Sequence, residues 1–288
     1  MKKPVTIIID CPFICHRAIH TMNALSYEEE HTGVLFGFLM QVLSFAKEFK
    51  TNDIIFCWDS KDSKRKEIYP EYKANRIKEE STPEEEELKN NGYKQFDILR
   101  QEILPDMGFK NIYYQKGYEA DDLIATTVMF HEKDFVIITA DHDMYQLLDF
   151  GDMWNPKSKL IYSFDDFVKE WNVYPEDWIK IKSYAGCSSD NISGIMGVGE
   201  KTAVKYLRNK LKPKSKAFLK MKEHGKATLK TNKILVELPF PGTDINYISK
   251  DVLDFDNFIK KVCYRYSFDS FLTDAYYLKW ENFFKGNF

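Results

Sequence analysis

Short runs of apolar residues recur along the first half of the chain, and longer amphipathic segments separate them. Four runs have the length and the β-branched and aromatic content of buried strands, at residues 5–9, 53–58, 111–115 and 135–140. Segments of helical length lie between them, at residues 33–49 and 84–104. Because strands that alternate with helices form parallel sheets, this pattern predicts an α/β domain with a mostly parallel central sheet.

The pattern changes after residue 150. The stretches "GDMWN" and "KLIYS", within residues 151–163, predict a hairpin at the edge of the sheet. Beyond about residue 165 the apolar positions recur with helical spacing. We therefore predict an α/β domain over residues 1–165 and a helical domain over residues 166–288.

Composition indicates a globular protein and argues against a membrane partner. Hydrophobic residues make up 44% of the 288 residues and aromatic residues 15%, and no stretch approaches the ~20 apolar residues of a membrane span. The first apolar run is too short for a signal peptide and ends at Asp10. The five cysteines form no CxxC pair, which favours reduced thiols in a cytoplasm and argues against a structural zinc site.

Positive charge is concentrated in two stretches although the net charge is only −3. Residues 201–233 hold twelve Lys and Arg against one Glu, a net charge of +11. Residues 61–78 carry seven more Lys and Arg. Such runs are often solvated faces, but two of them in a net-acidic chain suggest surfaces that follow the phosphates of a nucleic acid.

Acidic residues follow every predicted parallel strand. They are Asp10, Asp59, Glu119, Asp121, Asp122, Asp141 and Asp143. Any one of them is explained as a helix cap or a turn residue. Because the carboxyl ends of parallel strands meet at one edge, all of them together would crowd negative charge that divalent cations must offset. Oxygen ligands without accompanying His or Cys favour two Mg²⁺ or Mn²⁺ ions, which suit phosphoryl displacement.

Several stretches, in order along the chain, resemble the 5′-nucleases. This family includes flap endonucleases, 5′-3′ exonucleases, phage enzymes called ribonuclease H and the nuclease domains of bacterial DNA polymerase I. The stretches are "IIID" with Arg17 seven residues after Asp10, "FCWDSKDSKRKEIYPEYKANR", "GYEADD", "ITADHDMYQLL", "GCSSDNISGIMGVGEKTA" and, more weakly, "TNKILVELPFP". The resemblance implies a resolvase-like or PIN-like α/β fold. It also implies a helical arch within about residues 60–100 and a helix-hairpin-helix at about residues 176–210.

The resemblance also implies roles for individual residues. A first metal site would use Asp10, Asp59, Glu119 and Asp121, and a second or bridging site would use Asp122, Asp141, Asp143 and Asp190. Contacts to nucleic acid are implied for Arg17, Arg65, Tyr72, Gly197, Gly199, Lys201, Thr202 and Lys205, with a K⁺ ion in the hairpin. Lys73 and Arg76 would meet the scissile phosphate, where two cations three residues apart can stabilise its developing charge.

One residue departs from the family pattern at a metal-binding position. Cys187 stands in "GCSSDN" where the family usually has Asp, and a thiol is a poor ligand for Mg²⁺. The resemblance would therefore leave the second metal site one carboxylate short.

The sequence predicts a monomeric, cytoplasmic enzyme of a bacterium or a phage-infected host. It would hydrolyse phosphodiesters in flapped or branched DNA or in RNA–DNA duplexes by two-metal-ion catalysis, and the resemblance implies that it acts during replication or repair. A replication polymerase or a single-strand-binding protein would be its protein partner. The alternatives are a DNA-junction binding protein with weak catalysis, which Cys187 suggests, and a PIN-like ribonuclease, which would need no helix-hairpin-helix.

Overall fold

A six-stranded sheet forms the centre of the computed structural model, which describes residues 5–21, 26–27, 30–77 and 82–288. In space the strands follow the order β5-β4-β1-β6-β7-β8. They are β1 (Thr6–Asp10), β4 (Ile54–Trp58), β5 (Ile112–Tyr114), β6 (Phe135–Ile138), β7 (Gly151–Asn155) and β8 (Leu160–Tyr162). Two short strand pairs lie outside the sheet, β2 (Ser26–Tyr27) with β3 (Glu30–His31) and β9 (Gly186–Cys187) with β10 (Ile192–Ser193).

Twelve α-helices of the described residues surround the sheet and continue beyond it. They are α1 (Cys11–Thr21), α2 (Gly33–Phe49), α3 (Arg65–Ile68), α4 (Pro83–Ile98), α5 (Leu104–Asp106), α6 (Ala120–Phe130), α7 (Phe164–Trp171), α8 (Trp178–Ala185), α9 (Glu200–Leu207), α10 (Lys216–Val236), α11 (Phe255–Asn257) and α12 (Asp274–Lys285). Single π-helical turns connect α4 to α5 and follow α11, at Leu99–Ile103 and Phe258–Cys263. No helix among these residues is long and apolar enough to cross a membrane.

The sheet confirms the predicted α/β class and the predicted strands. Neighbouring strands from β5 to β7 are all parallel, and only β8 runs antiparallel, to β7. The chain passes from β1 to β4 on one side and later returns to β6 on the other. Ligands of such sheets bind at the carboxyl ends of the strands near this reversal, so β1 places its last residue, Asp10, at the expected position.

The strand residues alternate between two hydrophobic clusters, one on each face of the sheet. Ile7 and Ile9 face a cluster built by α1, α2 and aromatic residues from the C-terminal end, among them Trp280. Ile8 faces a cluster that includes α6 and Trp178 of α8. Both clusters therefore contain residues from either side of residue 165, and the two-domain boundary there stays a prediction.

The predicted arch is described only in part. Residues 78–81, in its middle, lie outside the described residues, and they include Lys78 of the second basic stretch. On either side, the chain forms α3 and a 3-10 turn at Ala74–Ile77 before the break, and α4 after it. The arch stays a prediction, but the turn before the break is packed against the carboxyl edge of the sheet and supplies residues to it.

Candidate active site

The acids that follow the strands lie along the carboxyl edge of the sheet, here called the acidic rim. Asp10 ends β1, Asp59 follows β4, and Asp141 follows β6. Glu119 caps α6, so Asp121 lies in the first turn of that helix. Because each strand is parallel to its neighbour, these side chains reach the same edge from four different parts of the chain.

Asp10 is the central member of the rim and is buried. Its carboxylate accepts hydrogen bonds from the Phe13 amide at 3.2 Å and from the Thr139 hydroxyl at 3.0 Å. Burial, and then the charge of Asp59, raises the pKa of Asp10 to about 7 in spite of these hydrogen bonds. Thr139, which the sequence analysis did not single out, thus fixes the orientation of a predicted metal ligand.

Asp59 and Asp121 share this electrostatic environment. The Asp59 carboxylate accepts a hydrogen bond from the Ala120 amide at 2.7 Å, yet desolvation and the charge of Glu119 raise its pKa to about 6. Burial and the charges of Asp10, Asp141 and Asp59 raise the pKa of Asp121 well above its ordinary value. The negative charge of each carboxylate makes ionisation of its neighbours less favourable, and a bound divalent cation relieves this repulsion.

Glu119 is paired with a cation of the predicted arch. Lys73 Nζ lies 2.9 Å from Glu119 Oε2, and the Tyr72 hydroxyl donates to the same oxygen at 3.0 Å. Burial would raise the pKa of Glu119, but Lys73 and Arg65 lower it on balance. Tyr72 is only 2% exposed, so its ring packs inside and its hydroxyl orients Glu119, which does not agree with the predicted contact of Tyr72 with nucleic acid.

Arg65 and Asp122 form a buried ion pair, which corrects two further expectations. Both guanidinium NH groups donate to the Asp122 carboxylate, at 2.7 and 2.8 Å. The amides of Glu119 and Phe240 donate to the same carboxylate. Asp122 is 0% exposed and its oxygens are occupied, so it is not available to a metal, and Arg65 is not available to a nucleic acid.

Asp143 is held by a lysine that the sequence analysis missed. Lys182 Nζ lies 2.9 Å from Asp143 Oδ1 and 3.3 Å from Glu200 Oε1. Burial raises the pKa of Asp143, and the nearby Asp141 carboxylate adds to the rise while Lys182 opposes it. One signal could have identified Lys182: it lies four residues after the buried Trp178 and so shares its inward helix face.

Asp143, Cys187 and Asp190 form the tightest group of possible metal ligands among the described residues. Their ligand atoms all lie within 4.8 Å of one another. Arg76 donates to Asp190 at 2.8 Å, which brings the second predicted arch cation to the same end of the rim. Within the described part of the chain, the ligand atoms of the other rim acids do not form a comparably tight group. Their charges still raise one another's pKa values.

Arg17 lies in the second half of α1. It lines a small cavity of about 60 Å³ between α1 and α2, with Ile14 and Met40 among its neighbours. None of the rim carboxylates lines this cavity. The contact of Arg17 with nucleic acid stays a prediction.

The predicted hairpin residues lie on an exposed loop that ends at α9 and on α9 itself. Gly197 has φ +81°, a backbone conformation that favours glycine, and Gly199 is the residue before the first turn of α9. A Cβ added at either glycine would meet nothing within 4 Å. Lys201 and Lys205 are exposed on α9, and Thr202 is half-buried between them. The loop thus leaves its backbone open to a ligand as large as a phosphate.

An aromatic cavity adjoins Asp59, and the sequence analysis did not predict it. Its volume is about 250 Å³, and its walls include Trp58, Tyr93, Phe96 and Tyr114. The Arg100 guanidinium lies over the Tyr114 ring, 4.0 Å from the ring centre. The residues come from β4, α4, the following π-helical turn and β5, which explains why no local pattern revealed them.

Comparison with known proteins agrees with this geometry. Residues 5–172, more than half of the chain, match the family model of the 5′-3′ exonuclease N-terminal resolvase-like domain. A 5′-3′ exonuclease of Bacillus subtilis (strain 168) is 33% identical over 199 residues, which are 66% of this chain and 64% of that protein. The thermostable DNA polymerase I of Thermus thermophilus is 29% identical over 261 residues, which are 84% of this chain but only 29% of the polymerase.

Solved structures show the same fold. A T5 5′-exonuclease with bound zinc superposes with a TM-score of 0.69 at 25% identity, covering 82% of this chain and 90% of that one. A flap endonuclease-1 of Methanococcus jannaschii superposes with a TM-score of 0.56 at 16% identity, covering 98% and 93%. The family match and the acidic rim at the carboxyl edge of a parallel sheet lead to one conclusion: the chain belongs to the 5′-3′ exonuclease family, and its first 172 residues include the resolvase-like domain.

Proposed function

We propose that this protein is a divalent-metal-dependent 5′-nuclease that hydrolyses phosphodiesters where single-stranded and duplex nucleic acid meet. The observation that carries the proposal is the position of the acidic rim at the carboxyl ends of neighbouring parallel strands. Burial and neighbouring charges there raise the pKa of Asp10, Asp59, Asp121 and Asp143. A crowd of carboxylates that raise one another's pKa is stabilised by bound cations. The family match and the DNA polymerase I relatives support a role in replication or repair.

The donors of the rim fit hard divalent ions. Asp10, Asp59, Glu119 and Asp121 would hold a first ion through carboxylate oxygens, which Mg²⁺ and Mn²⁺ prefer. Asp141, Asp143 and Asp190 would contribute carboxylates to a second divalent ion, beside the thiol of Cys187. When bound, such ions offset charge on the scissile phosphate and its leaving oxygen. Asp122 is left out of this assignment because Arg65 occupies its carboxylate. The structure of the T5 exonuclease with zinc supports the use of divalent metal.

Lys73 and Arg76 are the residues of this chain that we assign to the phosphate. In the structure Lys73 pairs with Glu119 at 2.9 Å and also lies 4.0 Å from Asp190, while Arg76 pairs with Asp190 at 2.8 Å. Lys73 holds φ +56°, an uncommon conformation for a residue with a side chain, and its amide donates to the Asp190 carbonyl at 2.9 Å. This backbone contact fixes the two cations above the carboxylates, where they can bind the nonbridging oxygens of a phosphodiester.

Two further surfaces suit a substrate in which single-stranded and duplex nucleic acid meet. The aromatic cavity beside Asp59 offers ring faces to an unpaired base, a contact worth ~1–3 kcal/mol per base. The exposed loop before α9, with Lys201 and Lys205, suits the phosphates of a duplex and reads no bases. We assign this region to the predicted helix-hairpin-helix, with K⁺ as its ion. Flapped or branched DNA and RNA–DNA duplexes present both kinds of contact.

For the cellular setting we propose a monomeric, cytoplasmic protein that acts with a replication polymerase or a single-strand-binding protein. The DNA polymerase I relatives support the link to replication. This chain spans about two-thirds of the exonuclease and a quarter to a third of the polymerases.

Cleavage of a 5′-labelled flap substrate tests the proposal. We expect junction cleavage in Mg²⁺ or Mn²⁺ that ceases with EDTA and falls at least a hundredfold in Asp141→Asn, while the exposed Asp62→Asn control cleaves as the wild type does. Binding of the flap without cleavage in either metal would contradict the proposal and favour a junction-binding protein. Cleavage of single-stranded RNA with no preference for a junction would favour the PIN-like ribonuclease.

A further inference from the structure

Cys187 gives one end of the acidic rim a sulfur donor. It ends strand β9 and is 8% exposed. Its Sγ lies 4.0 Å from Asp143 Oδ2 and 3.0 Å from the Ser189 hydroxyl. The ligand atoms of Asp143, Cys187 and Asp190 lie within 4.8 Å of one another, close enough to contact one ion. The short β9–β10 pairing holds the thiol at this place, since Cys187 is paired with Ile192.

The two carboxylates beside the thiol are each fixed by a cation on one oxygen. Lys182 holds Asp143 through Oδ1, and Arg76 holds Asp190 through Oδ1. The Oδ2 atom of Asp143 is the one nearest to Cys187 Sγ. The cations thus orient the carboxylates and offset their charge. Asp143 Oδ2 lies on the side of the thiol, while Asp190 Oδ2 also accepts a hydrogen bond from the Tyr72 hydroxyl at 3.4 Å. Two oxygens and one sulfur form a mixed donor set.

This donor set does not fit Mg²⁺. Magnesium takes six oxygen ligands in a near-octahedral arrangement, and sulfur is a poor ligand for it. Zn²⁺ and Co²⁺ accept thiolate, carboxylate and water together. Asp143, Cys187 and Asp190 therefore match a thiophilic divalent cation better than they match the magnesium that suits the remainder of the rim.

We propose that Asp143, Cys187 and Asp190 form a thiolate-containing site that binds a thiophilic divalent cation, with Zn²⁺ and Co²⁺ as members of the class, in preference to Mg²⁺. On binding, the sulfur–hydrogen bond of Cys187 breaks, a sulfur–metal bond forms and the proton leaves to solvent, so no electrons are transferred. The inference rests on the proposed nuclease function, since it assigns different metal preferences to the two ends of one rim.

Cobalt reports directly on a thiolate ligand, because the sulfur-to-metal charge-transfer band absorbs in the near ultraviolet. The metal-free full-length protein is titrated with Co²⁺, with and without excess Mg²⁺. We expect a band that saturates at one equivalent, persists in Mg²⁺ and disappears in Cys187→Ser. The matched control Cys263→Ala removes another buried thiol, far from the rim in sequence, and keeps the band.

A second variant makes the test independent of how well Cys187→Ser folds. Cys187→Asp also removes the band, and calorimetry should show that it binds Mg²⁺ about tenfold more tightly than the wild type, a change typical of altering one residue at a metal site. A wild type without the band, or a band that survives in both Cys187 variants, overturns the inference. If the band is absent but the wild type still cleaves the flap, the result contradicts only the thiolate site. If neither the wild type nor Cys187→Asp cleaves the flap, the result contradicts the proposed nuclease function.

Discussion

Carboxylates that lie close together repel one another and destabilise the folded protein when no cation is bound between them. Asp121 shows this cost most clearly, because burial and the charges of Asp10, Asp141 and Asp59 all raise its pKa. Residues that serve a function are often destabilising in this way, and their replacement stabilises the protein while activity is lost. The rim is thus expected to weaken the metal-free fold.

The first prediction concerns Asp121→Asn. Removing one charge from the rim should raise the free energy of unfolding of the metal-free protein by about 0.5–2 kcal/mol while abolishing cleavage. Urea denaturation in EDTA at about pH 8 measures the change, because unfolded carboxylates are charged there. The exposed Asp62→Asn control should leave the stability as it is. If Asp121→Asn is less stable than the wild type, repulsion by the neighbouring carboxylates does not destabilise the metal-free protein at Asp121.

The Arg65–Asp122 pair has the opposite character. Four hydrogen bonds satisfy the Asp122 carboxylate, and Arg65 also donates to the Leu235 carbonyl at 3.0 Å, which ties α10 to the start of α6. A buried ion pair is compensated only while both partners are present. Its function here is to hold Glu119, whose amide donates to Asp122, at the rim.

The second prediction follows from that compensation. Arg65→Met should cost about 3–5 kcal/mol of unfolding free energy, because it leaves Asp122 charged and buried. Arg65→Met combined with Asp122→Asn should recover a large part of the loss. Lys64→Met, which breaks only the exposed pair with Glu67, should change stability by less than about 1 kcal/mol. Equal losses in the single and double variants would show that the charge of Asp122 is not the cause.

Elements were easier to predict than the contacts between them. The four apolar runs became β1, β4, β5 and β6, and the predicted helix at residues 33–49 matches α2. The reason is that strand and helix periodicity are local properties of the sequence. The acids at the strand ends were likewise readable, since parallel topology brings those ends to one edge.

Tyr72 and Arg65 could not be placed from the sequence because their partners are distant. Tyr72 bonds to Glu119, 47 residues away, and Arg65 to Leu235, 170 residues away. Both lie in a basic, polar stretch that has the composition of a nucleic-acid surface. Only the tertiary structure shows that Arg65 and Tyr72 turn inward and that Lys73 and Arg76 pair with carboxylates of the rim.

The connection that carries Cys187 and Asp190 depends on a close approach between backbones. A Cβ added at Gly194 would lie 2.2 Å from the carbonyl carbon of Ala185, whereas one added at Gly199 would meet nothing within 4 Å. The first glycine is required by the packing of α8 against the loop that follows β10. The second is required only if a ligand approaches the backbone.

The third prediction separates these two glycines. Gly194→Ala should destabilise the protein by about 3 kcal/mol or more, because backbone atoms must shift. Gly199→Ala should stay within about 1 kcal/mol of the wild type in denaturant unfolding, yet bind flap DNA more weakly in Ca²⁺ as measured by anisotropy. If Gly199→Ala binds DNA as tightly as the wild type, the loop does not contact the phosphate backbone.

Charge is separated across the whole molecule in spite of a net charge of only −3. The acidic rim lies at the carboxyl edge of the sheet, while residues 201–233, from α9 to α10, carry the net charge of +11. Ten of the twelve cations in this stretch are exposed, and the other two, Arg208 and Lys220, are half-buried. A polyanion is therefore attracted to one part of the protein and repelled from another, which orients it as it approaches.

The last prediction measures that attraction through salt. Each lysine that neutralises a phosphate releases a counterion, and log K for binding therefore falls as the logarithm of the salt concentration rises. Replacing Lys201 and Lys205 by Gln should make this negative slope shallower by about 2. The matched control replaces Lys157 and Lys159, exposed at the turn between β7 and β8, and should keep the slope of the wild type. Anisotropy titrations of a duplex with a 5′ flap, in Ca²⁺ and at several KCl concentrations, give the slopes. Equal slopes in both variants would mean that Lys201 and Lys205 do not neutralise phosphates of the duplex.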